Sequence, residues 1–386
     1  MFSLSALRHD TLSLIPMLTQ ALFLALLFGS RPPEIQFDKS TIDLGAAETC
    51  AFADINGDKR PDIVSGEFWY EAPLWTPHRF REIAFLNNYV DDFADLVADY
   101  DGDGQLDVVS VGWFSKSVAF WKNPGKGAGM WKKQDLETRF NVEFAFLVDL
   151  NNDGKALEIL PQFGSTKAPL AWYEFRNGKW ETHVASETSF GHGIGAGDVN
   201  GDKRTDIITP KGWLEAPADP RTGGWTMHSD FDMGDTGFIH VYDVDGDSQA
   251  DLITSMAHNY GIFWMKRGAG SQWTKQLIDD SWSQAHSVAL ADLNKDGRPD
   301  LVTGKRYMAH NGKDPGEREP LGVYWYENSK DDKGGPVFVR HIIDYGTRAG
   351  GGMQVAVGDI NGDGRADVGV GGKAGLFLFK NLGVKK

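Results

Sequence analysis

Acidic side chains recur along the chain in seven short segments of one pattern. Each acidic segment has Asp at position 1, Asp or Asn at position 3 and Asp at positions 5 and 9, except that an extra residue moves the last acid of the third to Glu158. Alternating oxygen ligands in a tight turn can converge on one hard cation, and Ca2+ accepts about six to eight oxygens in flexible geometry. The alternative is a set of Asx turns without metal. The pattern favours calcium, and the predicted ligands are Asp54, Asn56, Asp58, Asp62, Asp99, Asp101, Asp103, Asp107, Asp149, Asn151, Asp153, Glu158, Asp198, Asn200, Asp202, Asp206, Asp243, Asp245, Asp247, Asp251, Asp292, Asn294, Asp296, Asp300, Asp359, Asn361, Asp363 and Asp367.

Ionisable residues also stand six positions before the first Asp of four acidic segments. They are Glu48, Glu143, His192 and His286. If the segments fold alike, these side chains lie at one level of the molecule and form a candidate catalytic group. Such a set can hold a transition metal with open positions, which would polarise a substrate carbonyl. Alternatively, His and Glu act as base and acid in a proton abstraction, while Lys211 or Lys305 stabilises the enolate.

Further polar and aromatic residues share this register and are predicted to contact a substrate. They are Glu67, Trp113, Trp213, His258, Arg306, Tyr307 and His310. The last three lie in an insertion, residues 305–320, that lengthens the sixth repeat to 67 residues. A long polar loop on a rigid scaffold is typical of a binding or lid function, and the alternative is a tolerated surface insertion. Packing or surface positions on outer strands are predicted for His78, His183, His228 and His341.

The spacing of the repeats indicates which elements position these side chains. The first Asp recurs after 45, 50, 49, 45, 49 and 67 residues, and such a period is typical of one four-stranded propeller blade. Each acidic segment precedes aliphatic, aromatic and amphipathic runs of strand-forming composition. The last repeat lacks its fourth run, which residues 37–43 resemble. We therefore predict an all-β, seven-bladed β-propeller of four-stranded blades, closed by the N-terminal strand at about residues 35–43 completing blade 7.

The acidic segments, such as Asp54-Ile-Asn-Gly-Asp58, resemble the loops of the FG-GAP/VCBS repeat family. The resemblance spans residues 34–383 and implies a β-propeller whose loops bind calcium between strands. It implies no single activity, because related repeats occur in integrin heads, polysaccharide lyases, sugar dehydratases and other secreted proteins. The chain is also similar in kind to the propeller of the aldos-2-ulose dehydratases, a likeness of fold and site position only.

The first thirty residues are predicted to be a cleaved secretory signal peptide. Arg8 and His9 precede an apolar run over residues 12–28, and Gly29 and Ser30 follow it. The alternative is an uncleaved membrane anchor, for which the run is short. Residues 31–386 then form a single propeller, and the protein is expected to be secreted or periplasmic.

Charge and cysteine content narrow the classes of partner. The net charge of −15 argues against a nucleic-acid partner or an anionic membrane. The single cysteine, Cys50, excludes a disulfide scaffold and a cysteine-based zinc site. We expect a monomer that has no membrane contact once the signal peptide is cleaved.

These features favour an enzyme that acts on a carbohydrate or keto-sugar. The expected reaction is a lyase- or dehydratase-type elimination at the channel mouth opposite the calcium loops. The expected cofactors are several structural Ca2+ ions, with one transition metal at the channel mouth as an alternative to metal-free acid–base catalysis. The alternative is a non-enzymatic module that binds glycans or proteins. A quinone-dependent dehydrogenase is disfavoured, since no tryptophan docking signature repeats along the chain.

Overall fold

The computed structural model describes residues 34–270 and 272–384. Strands dominate these residues, which include one 3-10 turn, Pro220–Thr222, and no α-helix. The predicted all-β class is thus confirmed. The predicted signal peptide, residues 1–30, lies outside the described residues. Within the described ranges we find no helix with the length and apolarity to cross a membrane.

Thirty strands make up the described part of the chain. The first fifteen are β1 (Ile35–Asp43), β2 (Ala51–Ala53), β3 (Asp62–Ser65), β4 (Phe68–Glu71), β5 (Thr76–Arg79), β6 (Phe85–Leu86), β7 (Tyr89–Val90), β8 (Ala94–Ala98), β9 (Asp107–Gly112), β10 (Ser117–Lys122), β11 (Lys132–Glu137), β12 (Val142–Val148), β13 (Glu158–Phe163), β14 (Leu170–Arg176) and β15 (Lys179–Ser186). The others are β16 (Ile194–Gly197), β17 (Asp206–Thr209), β18 (Gly212–Glu215), β19 (Thr226–His228), β20 (Phe238–Tyr242), β21 (Asp251–Ser255), β22 (Tyr260–Arg267), β23 (Trp273–Ser283), β24 (Val288–Ala291), β25 (Asp300–Gly304), β26 (Gly322–Lys330), β27 (Pro336–Tyr345), β28 (Val355–Gly358), β29 (Asp367–Gly372) and β30 (Gly375–Val384).

Four-stranded antiparallel units repeat through the described residues. Units 1 to 6 are β2–β5, β8–β11, β12–β15, β16–β19, β20–β23 and β24–β27. Unit 7 is β28–β30 with β1 as its fourth strand, because β1 pairs antiparallel with β30 along most of its length. Units 4 and 5 join into one eight-stranded sheet through a parallel pairing of β16 with β20. The strands β6 and β7 form a separate hairpin between units 1 and 2.

The first strands of the units contact one another in a closed series. Contacts join β2 to β8, β8 to β12, β12 to β16, β16 to β20, β20 to β24 and β24 to β28, and β28 contacts β2 again. Apolar side chains of the second and third strands fill the spaces between neighbouring units, as Val302, Val323 and Val368 do between units 6 and 7. Residues that directly precede the first strands therefore lie close together on one side of this closed ring of strands.

Outer-strand histidines pack against tryptophans in four of the described units, with the rings stacked in three of them and tilted by 36° in Trp172–His183. The ring centroids are 4.2 Å apart for Trp69–His78, 4.3 Å for Trp172–His183, 4.2 Å for Trp213–His228 and 4.2 Å for Trp325–His341. Each histidine lies opposite its tryptophan across the third and fourth strands, and its Nε2 lies 2.8–3.1 Å from a glutamate two residues after that tryptophan. These contacts agree with the prediction of packing or surface positions on outer strands for the four histidines.

Replacing one of these histidines should affect stability alone. We expect His228→Ala to lower the free energy of unfolding by about 1 kcal/mol, because it removes an aromatic pair and a hydrogen bond to Glu215. His228→Phe keeps the stacking on Trp213 and should lose less. Urea denaturation of the two variants measures this difference, and an equal loss in both would show that stacking contributes nothing.

Candidate functional site

Ionisable side chains from five units meet where the first strands begin. We call Glu48, Glu143, His192, His258, His286 and Arg306 the histidine cluster. Glu48, His192 and His286 lie two or three residues before β2, β16 and β24. Glu143 is the second residue of β12. His258 and Arg306 follow the second strands β21 and β25, which run antiparallel to the first strands and so end at the same level. The structure thus brings together the four residues that share one position in the repeat, and adds two from the neighbouring strand ends.

Three ligand atoms in the cluster face one another. Nε2 of His192 lies 2.9 Å from Oε2 of Glu143 and 2.9 Å from Nε2 of His258. The three atoms lie within 4.8 Å of one another and could hold one metal ion. The other nitrogen of His192 donates to the Thr236 carbonyl at 2.7 Å. That bond fixes the ring and leaves Nε2 directed at the shared point, as in metal-ligating histidines with an outer hydrogen-bond partner.

The charges of Glu143, His192 and His258 favour a proton on His192, at the point where the three ligand atoms meet. Burial alone would raise the pKa of Glu143, but the charge and hydrogen bond of His192 outweigh it and lower that pKa to about 2. Burial opposes protonation of His192, but the Glu143 carboxylate raises its pKa overall. Burial and the neighbouring His192 lower the pKa of His258 to about 4. His192 therefore carries the proton, and a divalent cation bound by the three atoms would replace it.

A buried arginine links the two glutamates of the cluster. Arg306 donates to Oε2 of Glu48 at 3.1 Å and to Oε1 of Glu143 at 3.5 Å. Burial raises the pKa of Glu48, although the charge of Arg306 opposes the change. Within the described part of the chain, Oε1 of Glu48 and one terminal nitrogen of Arg306 are buried without a hydrogen-bond partner. The described residues offer no partner to either ring nitrogen of His286, which is also buried, although its ring centroid is 4.7 Å from that of His258. Buried polar atoms without partners are costly, so their concentration here is typical of a site that receives a ligand.

An open cavity of about 440 Å³ adjoins the cluster. One part of its lining is aromatic, with Tyr89, Phe93, Trp113 and Phe114, and the rest is polar apart from Ala309. The polar lining consists of Asn87, Glu143, Arg306, His310, Asn311, Lys313 and Asp314. A cavity of this size with an apolar wall and a few polar groups suits a small ligand or one unit of a polymer. Of the residues predicted to contact substrate, Trp113, Arg306 and His310 line it.

The insertion after β25, residues 305–320, reaches over the cluster. His310 stacks on His258 with ring centroids 4.2 Å apart, and Asp314 lies within hydrogen-bond distance of both rings. The sequence reasoning did not single out Asp314. Its only signal in the sequence was its place in the longest insertion among the repeats, four residues after His310.

Other predicted site residues lie outside the cluster. The prediction for Trp213 is wrong, because its side chain is buried and packs on His228. Lys211 is half-exposed and pairs with Asp232 at 2.7 Å, and Glu67 pairs with Arg79 at 2.8 Å. Among the described residues, neither has a hydrogen bond to the cluster.

The insertion accounts for two further departures from the predicted site. The ammonium group of Lys305 turns toward Ser283, at 2.9 Å from its hydroxyl, and toward Glu319 at 3.3 Å. Tyr307 is 38% exposed and does not line the cavity. Both residues lie just after the end of β25, within the insertion, where side-chain direction depends on the course of the insertion and not on the repeat.

The acidic segments connect the first and second strands of each unit. In most segments the last acid is buried and accepts a backbone N–H from the residue after the first Asp, as Asp62 does from Ile55 at 3.0 Å. Glu158 accepts the equivalent N–H of Leu150 at 3.0 Å, so the extra residue of the third segment is accommodated. The first Asp accepts backbone N–H groups of the turn, as Asp54 does from Asp58 at 2.9 Å. The turns therefore hold their carboxylates close together.

The second and fifth acidic segments each gather three carboxylates within 4.8 Å. They are Asp99, Asp101 and Asp107 in one, and Asp243, Asp245 and Asp251 in the other. Each also receives a lysine ammonium from the third strand, since Lys122 bonds to Asp101 and Asp103, and Lys266 bonds to Asp245. Both groups have the oxygen chemistry that calcium requires.

A family model described as an FG-GAP-like repeat matches residues 99–160 and 243–303. Each match begins at the first Asp of an acidic segment, Asp99 or Asp243, and extends through the next segment into the strand that follows it. FG-GAP-like repeats are therefore present over these residues. A search of curated proteins finds no match to the chain.

Proposed function

We propose that the chain is a seven-bladed β-propeller secreted or delivered to the periplasm after removal of residues 1–30. Seven four-stranded units, the closed series of contacts between first strands and the pairing of β1 with β30 support this architecture. The FG-GAP-like repeats over residues 99–160 and 243–303 also support it. In this arrangement the acidic segments lie at one end of the channel and the histidine cluster at the other. The acidic segments are proposed to bind several structural Ca2+ ions, which would offset part of the net charge of −15.

We further propose that the histidine cluster is a metal-dependent catalytic centre for carbohydrate elimination. The observation that carries this proposal is the convergence of Glu143, His192 and His258 on one point, at 2.9 Å separations. Two histidines and one carboxylate with open positions are a ligand set for a divalent transition metal. A metal bound there would supply Lewis-acid polarisation of a substrate carbonyl.

The residues of the chain supply binding and proton transfer. The aromatic wall around Trp113 receives the apolar face of a sugar ring, while Arg306 and Lys313 bind its oxygens. His310 is half-exposed in the cavity and takes the proton from the carbon next to the substrate carbonyl. The electron pair of that C–H bond forms a C=C bond as the C–O bond at the adjacent carbon breaks. The departing oxygen then takes the proton that His310 removed and leaves as water or as a free hydroxyl of the cleaved chain, which returns His310 to its neutral form.

Elimination is tested by incubating the protein with keto-sugars and with uronate polymers and following the absorbance of the new conjugated C=C bond. We expect His192→Ala and Glu143→Gln to lower the rate by at least about 100-fold, because they remove metal ligands. The matched control is His228→Ala, a histidine on an outer strand, which should retain the rate. If the wild-type protein eliminates neither substrate class, the enzyme proposal fails and the non-enzymatic binding module is favoured.

A further inference from the structure

One carboxylate in the insertion contacts two imidazole rings at once. Oδ2 of Asp314 lies 2.9 Å from Nδ1 of His258, and Oδ1 lies 3.0 Å from Nδ1 of His310. The two rings are stacked at 4.2 Å with only 16° between their planes. We propose that Asp314 is a positioning residue that fixes both histidines with the proton on Nδ1 and the lone pair on Nε2. The consequence for metal binding rests on the proposed function, whereas the protonation pattern does not.

The hydrogen-bonding capacity of the groups carries the argument. An ionised carboxylate only accepts hydrogen bonds, so each Nδ1 within reach of Asp314 must be the protonated nitrogen. A neutral imidazole with Nδ1 protonated has a bare Nε2. In His258 that bare nitrogen faces His192 and Glu143, 2.9 Å from the former. In His310 it remains available to the cavity. Asp314 therefore selects the nitrogen that each ring presents to the centre.

The insertion is anchored so that Asp314 stays in place. At its start, the buried Arg306 is bonded to Glu48 and donates its backbone N–H to the Gln284 carbonyl at 2.9 Å. Further along, Lys373 donates to the Met308 carbonyl at 2.8 Å. The side chain of Glu317, which is buried, accepts the backbone N–H of His310. These bonds hold the segment on both sides of His310 and Asp314.

A cation bound between His258, His310 and Asp314 is the competing interpretation, because their ligand atoms also lie within 4.8 Å of one another. The two interpretations differ in the protonation of Nδ1. A cation there would require bare Nδ1 atoms, whereas the hydrogen bonds require N–H groups. The competing site is disfavoured because the Asp314 carboxylate lies 2.9 Å from Nδ1 of His258 and 3.0 Å from Nδ1 of His310, the ordinary length of an N–H···O bond.

The test is nitrogen NMR of the full chain with 15N-labelled histidine after treatment with a chelator. In the wild-type protein we expect the signals of His258 and His310 to show protonated Nδ1 and bare Nε2, with His310→Gln used for assignment. Asp314→Asn retains one acceptor oxygen and gains an N–H2 donor, so it should invert the pattern of one ring. Asp314→Ala should release both. Bare Nδ1 in the wild-type protein, or a pattern unchanged in both variants, would overturn the proposal.

Metal titration provides the second readout. We expect Asp314→Ala to weaken Zn2+ and Co2+ binding by about 10- to 100-fold, as loss of an outer hydrogen-bond partner of a metal ligand does. The matched control is Glu319→Gln, an acid of the same insertion that bonds to Tyr260 and Lys305 instead of the histidines. Equal affinity of the Asp314→Ala and wild-type proteins for the metal would overturn the role in metal binding. If the wild-type protein binds neither metal but shows the expected NMR pattern, the proposed metal centre fails and the positioning role of Asp314 stands.

Discussion

Removing calcium at pH 7.5 is expected to lower the melting temperature of the protein by more than about 10 °C. A ligand present at 100 times its dissociation constant stabilises the folded state by about 2.7 kcal/mol per site, and several acidic segments contribute together. In a protein of this size each kcal/mol corresponds to roughly 2 °C. Differential scanning calorimetry with excess Ca2+ and with excess chelator measures the shift directly.

The calcium effect should nearly vanish at pH 5. Burial raises the pKa of Asp62 and Asp206 to about 6 and that of Asp107, Glu158 and Asp300 to about 7. The unfolded chain has carboxyl pKa values near 4, so the metal-free folded state binds these protons more tightly than the unfolded state. The contribution of these protonated carboxyl groups to the stability of the metal-free protein is therefore fully present below about pH 4 and is lost as the pH rises through 6 to 7. Calcium replaces those protons, so its contribution grows over the same range.

Two outcomes would contradict the assignment of the acidic segments. One is a melting temperature at pH 7.5 that does not depend on calcium. The other is a calcium-dependent difference of the same size at pH 5 and pH 7.5, because the buried acids would then have no part in it. Mg2+ is the matched control cation, since it demands stricter octahedral geometry and should restore less of the stability.

Arg81→Ala is expected to lower the free energy of unfolding by about 3–5 kcal/mol. Arg81 is fully buried after β5 and donates to Asp92 at 2.8 Å, to Asp95 at 2.6 Å and to the Gly66 carbonyl at 2.6 Å. The Thr49 hydroxyl, with its single hydrogen, lies within hydrogen-bond distance of both carboxylates. The variant would leave two buried carboxylates without an arginine, and burial already raises the pKa of Asp92 well above its usual range. This ion-pair group joins units 1 and 2 and is absent from the sequence-based account.

Chemical denaturation at two pH values tests the role of Arg81. The loss should be smaller at pH 5 than at pH 7.5, because protonation of the uncompensated carboxylates relieves the cost of burying their charge. Arg79→Ala is the matched control, since Arg79 is half-exposed and its pairing with Glu67 is worth at most about 1 kcal/mol. Equal losses in the two variants would show that the buried group does not stabilise the fold.

Repetition explains which parts of the site the sequence could predict. Each acidic segment directly follows a short first strand. Counting six residues back from its first Asp therefore reaches the start of that strand, and this predicts that Glu48, Glu143, His192 and His286 lie at one level. Counting forward from the same Asp, through the acidic segment and the second strand, reaches strand ends near His258 and Arg306. Strand length and pairing register fix these positions, and both repeat in the sequence.

Side-chain direction and non-repeated contacts explain the rest. The direction of Trp213 depends on its cross-strand partner His228, and such pairing is visible only once the register between the third and fourth strands is known. Lys211 lies in a turn, where a nearby acid, Asp232, determines its orientation. Asp314 belongs to an insertion found in one repeat only, so no count from another repeat could place it beside His258.

We propose that Glu143, His192 and His258 hold a transition metal at the end of the channel opposite the proposed calcium sites. The most direct test of this metal centre is the elemental content of the purified protein, measured for wild type, His192→Ala and the control His228→Ala. We predict several calcium ions per chain in all three proteins and about one transition-metal ion in the wild type and the control, lost in His192→Ala. A wild-type protein without a transition metal after supply of Zn2+, Mn2+ and Fe2+, or a His192→Ala variant that retains it, would contradict the claim.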